Sequence, residues 1–295
     1  MKIGVIGASG FIGRSLLAHF AKAGSPAVAF SRRPLSPEIS ESASACRLLS
    51  LSDTERHLGE LDWLLFCTGS MLPSDNVTAE QLHSASQEAI LLQQCIQRTG
   101  IGVIYVSSGG TVYGNTSRVP VPETEPCAPI SIYGKYKLAL EIEAAELSRT
   151  YHKKLVIARL SNPYGPLQTA QKGQGLIARL VHCRHTGEAF TLWGNGDAVR
   201  DYIHIDDFGS FVSIAIQKGA EGIFNVGSGQ GRTVMEMLDL FSTVCPDHRV
   251  SVKKIAARQC DVSRIVLDID KARQRLDWAP RVALIDGIRS LIKSS

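Results

Sequence analysis

A chain of 295 residues with 44% hydrophobic content and a formal net charge of +4 has the profile of a folded, soluble protein with one large domain, or a large domain and a smaller companion. No clustered run of Lys and Arg marks a nucleic-acid surface, and no apolar run reaches the roughly eighteen residues of a membrane span. Seven cysteines (46, 67, 95, 127, 183, 245 and 260) stand singly, without a Cys-x-x-Cys pair. With no signal-peptide layout ahead of "MKIGVIG", the expectation is a reduced, cytoplasmic protein without a disulfide framework or zinc knuckle.

In chain order, short apolar strands alternate with helical patterns. "KIGVIG" precedes the helix "GRSLLAHFAKAG", and "AVAFS" follows. "SRRPLSPEISESASA" reads as a polar loop. "LDWLLFCTG" leads into the helix "TAEQLHSASQEAILLQQCIQRTG", then "IGVIYVSS", the helix "YGKYKLALEIEAAELSRTY" and the strand "KLVIARLS". This alternation predicts an α/β fold, a Rossmann-type doubly wound parallel sheet. Beyond "SNPYGP" the pattern is less regular, with longer loops and a late helix near "GIRSLI". The expected organisation is a dinucleotide-binding domain over 1–165 with a returning segment near 200–228. Residues 166–199 and 229–295 then form a smaller, interleaved substrate-binding domain.

"GASGFIG" places Gly7, Gly10 and Gly13 between the first strand and first helix. Gly7 suits a tight turn, Gly10 lets backbone approach a pyrophosphate, and Gly13 allows close helix–strand packing, with free N–H groups at the helix start. Ser9, Phe11 and Ile12 complete that loop. An adenine ribose with a free 2′-hydroxyl usually meets an acid roughly 20 residues past the glycines. Here Ser31, Arg32 and Arg33 end the second strand, and guanidinium forks suit a 2′-phosphate. The cofactor expectation is NADP or NAD, with NADP favoured.

"YVSSGGTVYG" (105–114) breaks an apolar strand into hydroxyls and glycines. Downstream, "IYGKYKLALE" holds Tyr133 and Lys137 four apart at the head of a helix, on one face. A phenol titrates near 10, and an ammonium beside it is expected to lower that value. Such a pair can pass a proton to or from a sugar hydroxyl while hydride moves at a nicotinamide. Tyr136 falls on another face and reads as packing.

The set "GASGFIG", "SSGGTVYG", "YGKYK", "RLSNPYGP", "RDYIHIDD" and "FNVGSG" resembles the extended short-chain dehydrogenase/reductase family, nearest to its nucleotide-sugar epimerases and dehydratases, from Lys2 to about Leu291. The resemblance implies a nucleotide sugar, expected to be UDP-linked, lying between the sheet and the small domain. It implies that Asn162, Arg200 and Arg258 face the diphosphate and that Asp261 contacts the nucleoside ribose. It also implies a homodimer paired through helices that include "LHSASQEAILLQQCI" and "LALEIEAAEL". No metal is expected, "HCRH" (182–185) included; Asp201, Asp206 and His204 are expected to fix their own turn.

Departures from the family pattern matter as much. The family's Ser or Thr four residues before the Tyr of "VYG" is Gly109 here, leaving Ser108 or Thr111 to supply the hydroxyl. The acid of the third-strand element is replaced by Ser50, with Asp53 retained. The family's "HLAA" becomes "FCTG", where Cys67, Thr68 and Gly69 remain small enough for a cofactor. Three functions follow: a nucleotide-sugar epimerase acting at carbon 4, slightly ahead; an NADPH-dependent 4-keto reductase; and a non-catalytic NADP sensor. A dehydratase needs an added carboxylate that "GGTVYG" lacks.

Overall fold

The structure, a computed structural model, describes residues 1–32, 35, 37–48, 58–69, 71, 77–98, 100–170, 175–246, 250–257 and 261–294. Arg33, Ser50, Asp53 and Arg258, named above, lie outside the described residues.

Seven strands form one parallel sheet: β1 (Ile3–Ile6), β2 (Val28–Ser31), β3 (Ala45–Leu48), β4 (Trp63–Phe66), β5 (Gly102–Ser108), β6 (Leu155–Leu160) and β10 (Gly222–Val226). Their spatial order is β10-β6-β5-β4-β1-β2-β3. The chain winds outward from β1 through β2 to β3, then returns to place β4 on the other side of β1. That reversal opens a crevice at the carboxyl ends of β1 and β4, where ligands bind in open α/β sheets.

Both faces are covered because successive strand residues point to opposite sides. Val5 and Leu65 join the core beneath α1 (Phe11–Lys22) and α6 (Ile205–Gln217), where Phe20, Phe208 and Phe211 are buried. Ile6, Leu64 and Phe66 join the opposite core beneath α3 (Ala79–Arg98) and α4 (Ile132–Thr150), with Leu92, Ile96, Leu140 and Ala144. Helices α3 and α4 also leave Leu82, Ile90 and Ile142 exposed, on the helices through which the sequence reading expects a second copy.

The segment read as a polar loop contains more order than its composition suggested. A short helix, α2 (Pro37–Glu41), interrupts it, and its end runs into β3. β3 forms because β2 offers it a ladder, pairing Val28 with Ala45 and Ser31 with Leu48. Such pairing is a tertiary effect that local polarity does not reveal.

After β6 the chain leaves the main sheet. β7 (Asn162–Tyr164), β9 (Val199–His204) and β11 (Gly231–Thr233) make a three-stranded sheet, and β8 (Phe190–Trp193) pairs with β12 (Val252–Ile255). Within the expected returning segment, Val199–His204 therefore belongs to the small sheet; the main sheet is rejoined at Gly222. A third core unites α5 (Leu176–Thr186), α7 (Val234–Val244) and α9 (Leu284–Ser294) through Leu180, Phe241 and Ile288. α8 (Asp270–Leu276) packs back on the main sheet, burying Ala272 and Leu276.

Candidate active site

The crevice between β1 and β4 is built from bare backbone. Gly7 has φ +83°, and a Cβ there would sit 2.9 Å from the carbonyl atoms of Cys67. Only glycine holds that conformation cheaply and lets the two strand ends approach so closely. At Gly13 a side chain would collide with the Gly7 carbonyl. Gly10 is the N-cap of α1 in an extended conformation and supplies no side-chain cap. First-turn amides of a helix have no intrahelical acceptor, so the amide end of α1 faces the crevice as a ready anion site. These residues fit the pyrophosphate of a dinucleotide. Ser9 is exposed at the rim, while Phe11 and Ile12 pack against the core. Ser31 is buried at the end of β2, and Arg32 follows it into solvent.

The catalytic candidates come from the neighbouring strand end. Ser131 caps α4 by accepting from the Gly134 N–H at 3.0 Å, which fixes the helix start one residue before Tyr133. One turn on, the buried Lys137 Nζ donates to the carbonyls of Val106 (3.0 Å) and Thr68 (3.3 Å), and lies 5.0 Å over the Tyr105 ring. Burial pushes its ammonium down to about 8. Tyr133 meets the Ser108 hydroxyl, a contact that favours the phenolate, yet exclusion of water wins and pushes the phenol up to about 12, with Glu88 acting in the same direction. The expected lowering by Lys137 is not among the influences acting on Tyr133. The ammonium is committed to two strand carbonyls, and desolvation dominates the phenol.

Ser108, not Thr111, is the hydroxyl brought to Tyr133. Thr111 Oγ1 is buried without a hydrogen-bond partner, and its carbonyl abuts Gly134. The glycine at 109 also has a physical reason. A Cβ there would come within 2.6 Å of Leu267 and 2.7 Å of the Arg159 carbonyl, so this position faces packed protein. At Gly110 the nearest atoms to a Cβ would be the Asn162 carboxamide at 3.7 Å and Ser108 Oγ at 4.0 Å, an ordinary contact distance. The Ser108 hydroxyl, Gly110 and Asn162 thus share one rim.

Beneath that rim runs a buried network the sequence reading did not isolate. Arg159 on β6 makes a forked pair with Glu141 on α4, at 2.7 Å from Nη2 and 3.0 Å from Nε to Oε2. Ser107 donates to the same carboxylate. Arg159 Nη1 donates to the Tyr113 hydroxyl at 2.9 Å, which donates to Asn225 Oδ1 at 2.7 Å. Asn225 Nδ2 closes on the carbonyls of Val121 and Asp268. Two signals were available: Glu141 lies four residues past Lys137 in an apolar stripe, and Arg159 interrupts an apolar strand.

From the small sheet, Asn162 Nδ2 donates to the Asp201 carbonyl at 3.0 Å. Asp201 is fully buried and accepts from the amides of Ser228, Gly229 and Leu267 and from Ser228 Oγ, so it ties the turn after β10 and the segment at Leu267 to β9 rather than fixing its own turn. His204 caps α6 by accepting from the Asp206 N–H. Arg200 is half-buried, and Asp261 is near enough for its charge to act on the guanidinium. His182 faces Glu188 at 3.7 Å; among the described residues no three His, Cys, Asp or Glu gather as a metal site.

A glycine turn feeding an uncapped helix, with Ser108 at the adjoining strand end and Tyr133 and Lys137 on the helix beside it, fits a dinucleotide-dependent oxidoreductase site. Residues 3–227 match the NAD dependent epimerase/dehydratase family, and the chain belongs to it. It is an enzyme family of nucleotide-sugar epimerases, dehydratases and reductases. Across 98% of this chain and 96% of the relative, it is 28% identical to the dTDP-4-dehydro-6-deoxyglucose reductase of Escherichia coli. The UDP-glucose 4-epimerase of Azospirillum brasilense is 26% identical over 96% of this chain and 88% of its own. Among solved structures, the UDP-glucose 4-epimerase of Thermotoga maritima with UDP-glucose is 28% identical, TM-score 0.85, covering 99% of this chain and 98% of that one. The Thermus thermophilus enzyme with NAD is 26% identical, TM-score 0.88, with the same coverage.

Two outcomes follow from the packing. Gly109→Ser, which places the family's usual residue here, is expected to cost about 1–3 kcal/mol through overpacking and to raise no activity; chemical denaturation beside a rate assay checks both. Lys137 keeps its proton to pH 10.5 when unfolded but to about 8 when folded. The unfolded state then binds more protons between those values, so stability rises with pH across that window. Below it the buried ammonium costs about 3 kcal/mol. Lys137→Met is expected to abolish activity while raising the melting temperature at pH 7, and the gain should shrink towards pH 10. A lower melting temperature at pH 7 contradicts this.

Proposed function

We propose that the protein is an NADPH-dependent reductase of a 4-keto nucleotide sugar, making a deoxy-sugar nucleotide. The observation that carries this reading is the end of β2, where Ser31 and Arg32 stand in place of the acid that reads a free ribose 2′-hydroxyl, which favours NADPH as a consumed reductant. When bound in the crevice, the reduced nicotinamide supplies hydride. Everything else falls to side chains. Ser108 orients the carbonyl oxygen of the sugar, and Tyr133 gives that oxygen its proton as hydride reaches the carbon. The Lys137 ammonium, one turn along the same face, donates to the Val106 and Thr68 carbonyls and so holds the head of α4, and Tyr133 with it, against the strand ends. Arg32, exposed where a 2′-hydroxyl reader carries an acid, supports NADP over NAD, with Arg33 following it in sequence. The full-length likeness to a dTDP-sugar reductase points the same way.

A second reading, epimerisation at carbon 4 of a UDP-hexose through a transient ketone, is favoured by the likeness to UDP-glucose 4-epimerases at 28% and 26% identity. It runs the same chemistry in both directions, so Tyr133 must first lose its proton. Asn162, Arg200, Arg258 and Asp261 belong to the substrate side in either reading. Gly7, Ser9, Gly10, Phe11, Ile12, Gly13, Ser31, Cys67, Thr68 and Gly69 belong to the cofactor side, with Tyr133 and Lys137 meeting both.

A single experiment separates the readings. Purified enzyme is given a panel of UDP-, dTDP-, GDP- and CDP-linked 4-keto sugars with NADPH, and the corresponding hexoses with catalytic cofactor. Stoichiometric NADPH consumption is expected, lost in Tyr133→Phe. Interconversion of hexoses without net consumption would overturn the reductase in favour of the epimerase. In the same assay, Arg32→Asp with Arg33→Ala should weaken NADPH use far more than NADH use.

A further inference from the structure

On the small sheet, β11 runs antiparallel to β9 with Arg232 directly opposite Arg200. Residues directly opposite in such a ladder share a face, with Cβ atoms roughly 5 Å apart, and like charges there are destabilising. Among the described residues neither guanidinium has an acidic partner at salt-bridge distance. Arg200 is half-buried and donates only to the Val199 carbonyl of its own strand, at 3.0 Å. Arg232 is exposed. Among the described residues the acid acting on Arg200 is Asp261, and the two make no salt bridge. The flanking ladder pairs carry no charge that could serve the arginines. Thr233 faces Val199, and Gly231 faces Asp201, whose carboxylate is spent on Ser228, Gly229 and Leu267.

The register is tightly held, so the juxtaposition is no accident of a loose edge. A Cβ on Gly231 would meet Val266 at 2.6 Å and Val199 at 2.7 Å. Immediately after Arg232, Thr233 starts α7 with a capping box in which its hydroxyl accepts from the Glu236 amide and Glu236 accepts from the Thr233 amide. Strand and helix together fix the backbone of Arg232 opposite that of Arg200.

We infer that Arg232 and Arg200 form a two-fork clamp for the diphosphate of the nucleotide substrate, one fork for each phosphate. This rests on the nucleotide-sugar reading and adds to it Arg232, which no motif in the sequence singled out. Two uncompensated guanidiniums on one face are costly until a dianion lies between them, and forked donors match phosphate oxygens. The clamp selects a diphosphate over a monophosphate, because a single phosphate satisfies only one fork.

Isothermal titration tests this with UDP, dTDP, GDP and CDP, each beside its monophosphate, on wild-type enzyme and Arg232→Ala. The expected result is a clear wild-type preference for one diphosphate over its monophosphate. Arg232→Ala should weaken that diphosphate by about ten- to a hundredfold, the value of one charge-assisted fork, and leave the monophosphate nearly unchanged. Arg232→Lys should recover part of the loss, and the unliganded melting temperature of Arg232→Ala should not fall. Equal diphosphate affinity in wild type and Arg232→Ala overturns the clamp while leaving the nucleotide-sugar reading intact. Wild-type enzyme that binds no nucleoside diphosphate overturns both.

Discussion

The buried pair between Glu141 and Arg159 is the constraint on which the site depends. It joins the helix that carries Tyr133 and Lys137 to the strand that precedes Asn162, and it takes Ser107, the neighbour of Ser108, into the same carboxylate. Removing one partner of such a pair costs about 3–5 kcal/mol because the other is left charged in the core. Tyr113 and Asn225 extend the chain of hydrogen bonds from Arg159 to Val121 and Asp268. A buried network of this kind favours one arrangement of α4 against β5 and β6. The reacting groups inherit their spacing from it.

Against that fixed helix the fold sets two supply lines. The reversal in strand order opens a backbone-lined crevice for a dinucleotide at the ends of β1 and β4, and Lys137 reaches across to the Thr68 carbonyl at its edge. From the opposite side the small sheet delivers Asn162, which donates to the Asp201 carbonyl, and Arg200, which donates to the Val199 carbonyl of its own strand. The chain returns to β10 between these two lobes, and Asn225 on that strand also belongs to the buried network. Cofactor side, substrate side and catalytic helix therefore share one set of anchors.

Much of this was legible in the sequence, for identifiable reasons. The glycine spacing of "GASGFIG" and the Tyr-x-x-x-Lys pattern are local signals, because turn geometry and helical periodicity act over a few residues. The alternation of strands and helices is local too, and the doubly wound sheet followed from it. The short strand Ala45–Leu48 escaped because it exists through pairing with β2. The state of Tyr133 escaped for a similar reason: proximity to an ammonium was readable, whereas the exclusion of water that outweighs it is a property of the assembled cleft. Gly109 was legible only as an oddity. Its meaning came from Leu267 and the Arg159 carbonyl, which lie far along the chain and fill the space a side chain would need.

The central claim is that the resting site holds its proton on Tyr133 and so begins as an acid. Ultraviolet difference titration of wild-type enzyme against Tyr133→Phe reads that proton directly. The account predicts no phenolate assignable to Tyr133 up to about pH 10, the ordinary value for a free phenol. A Tyr133 phenolate appearing near neutral pH would contradict it.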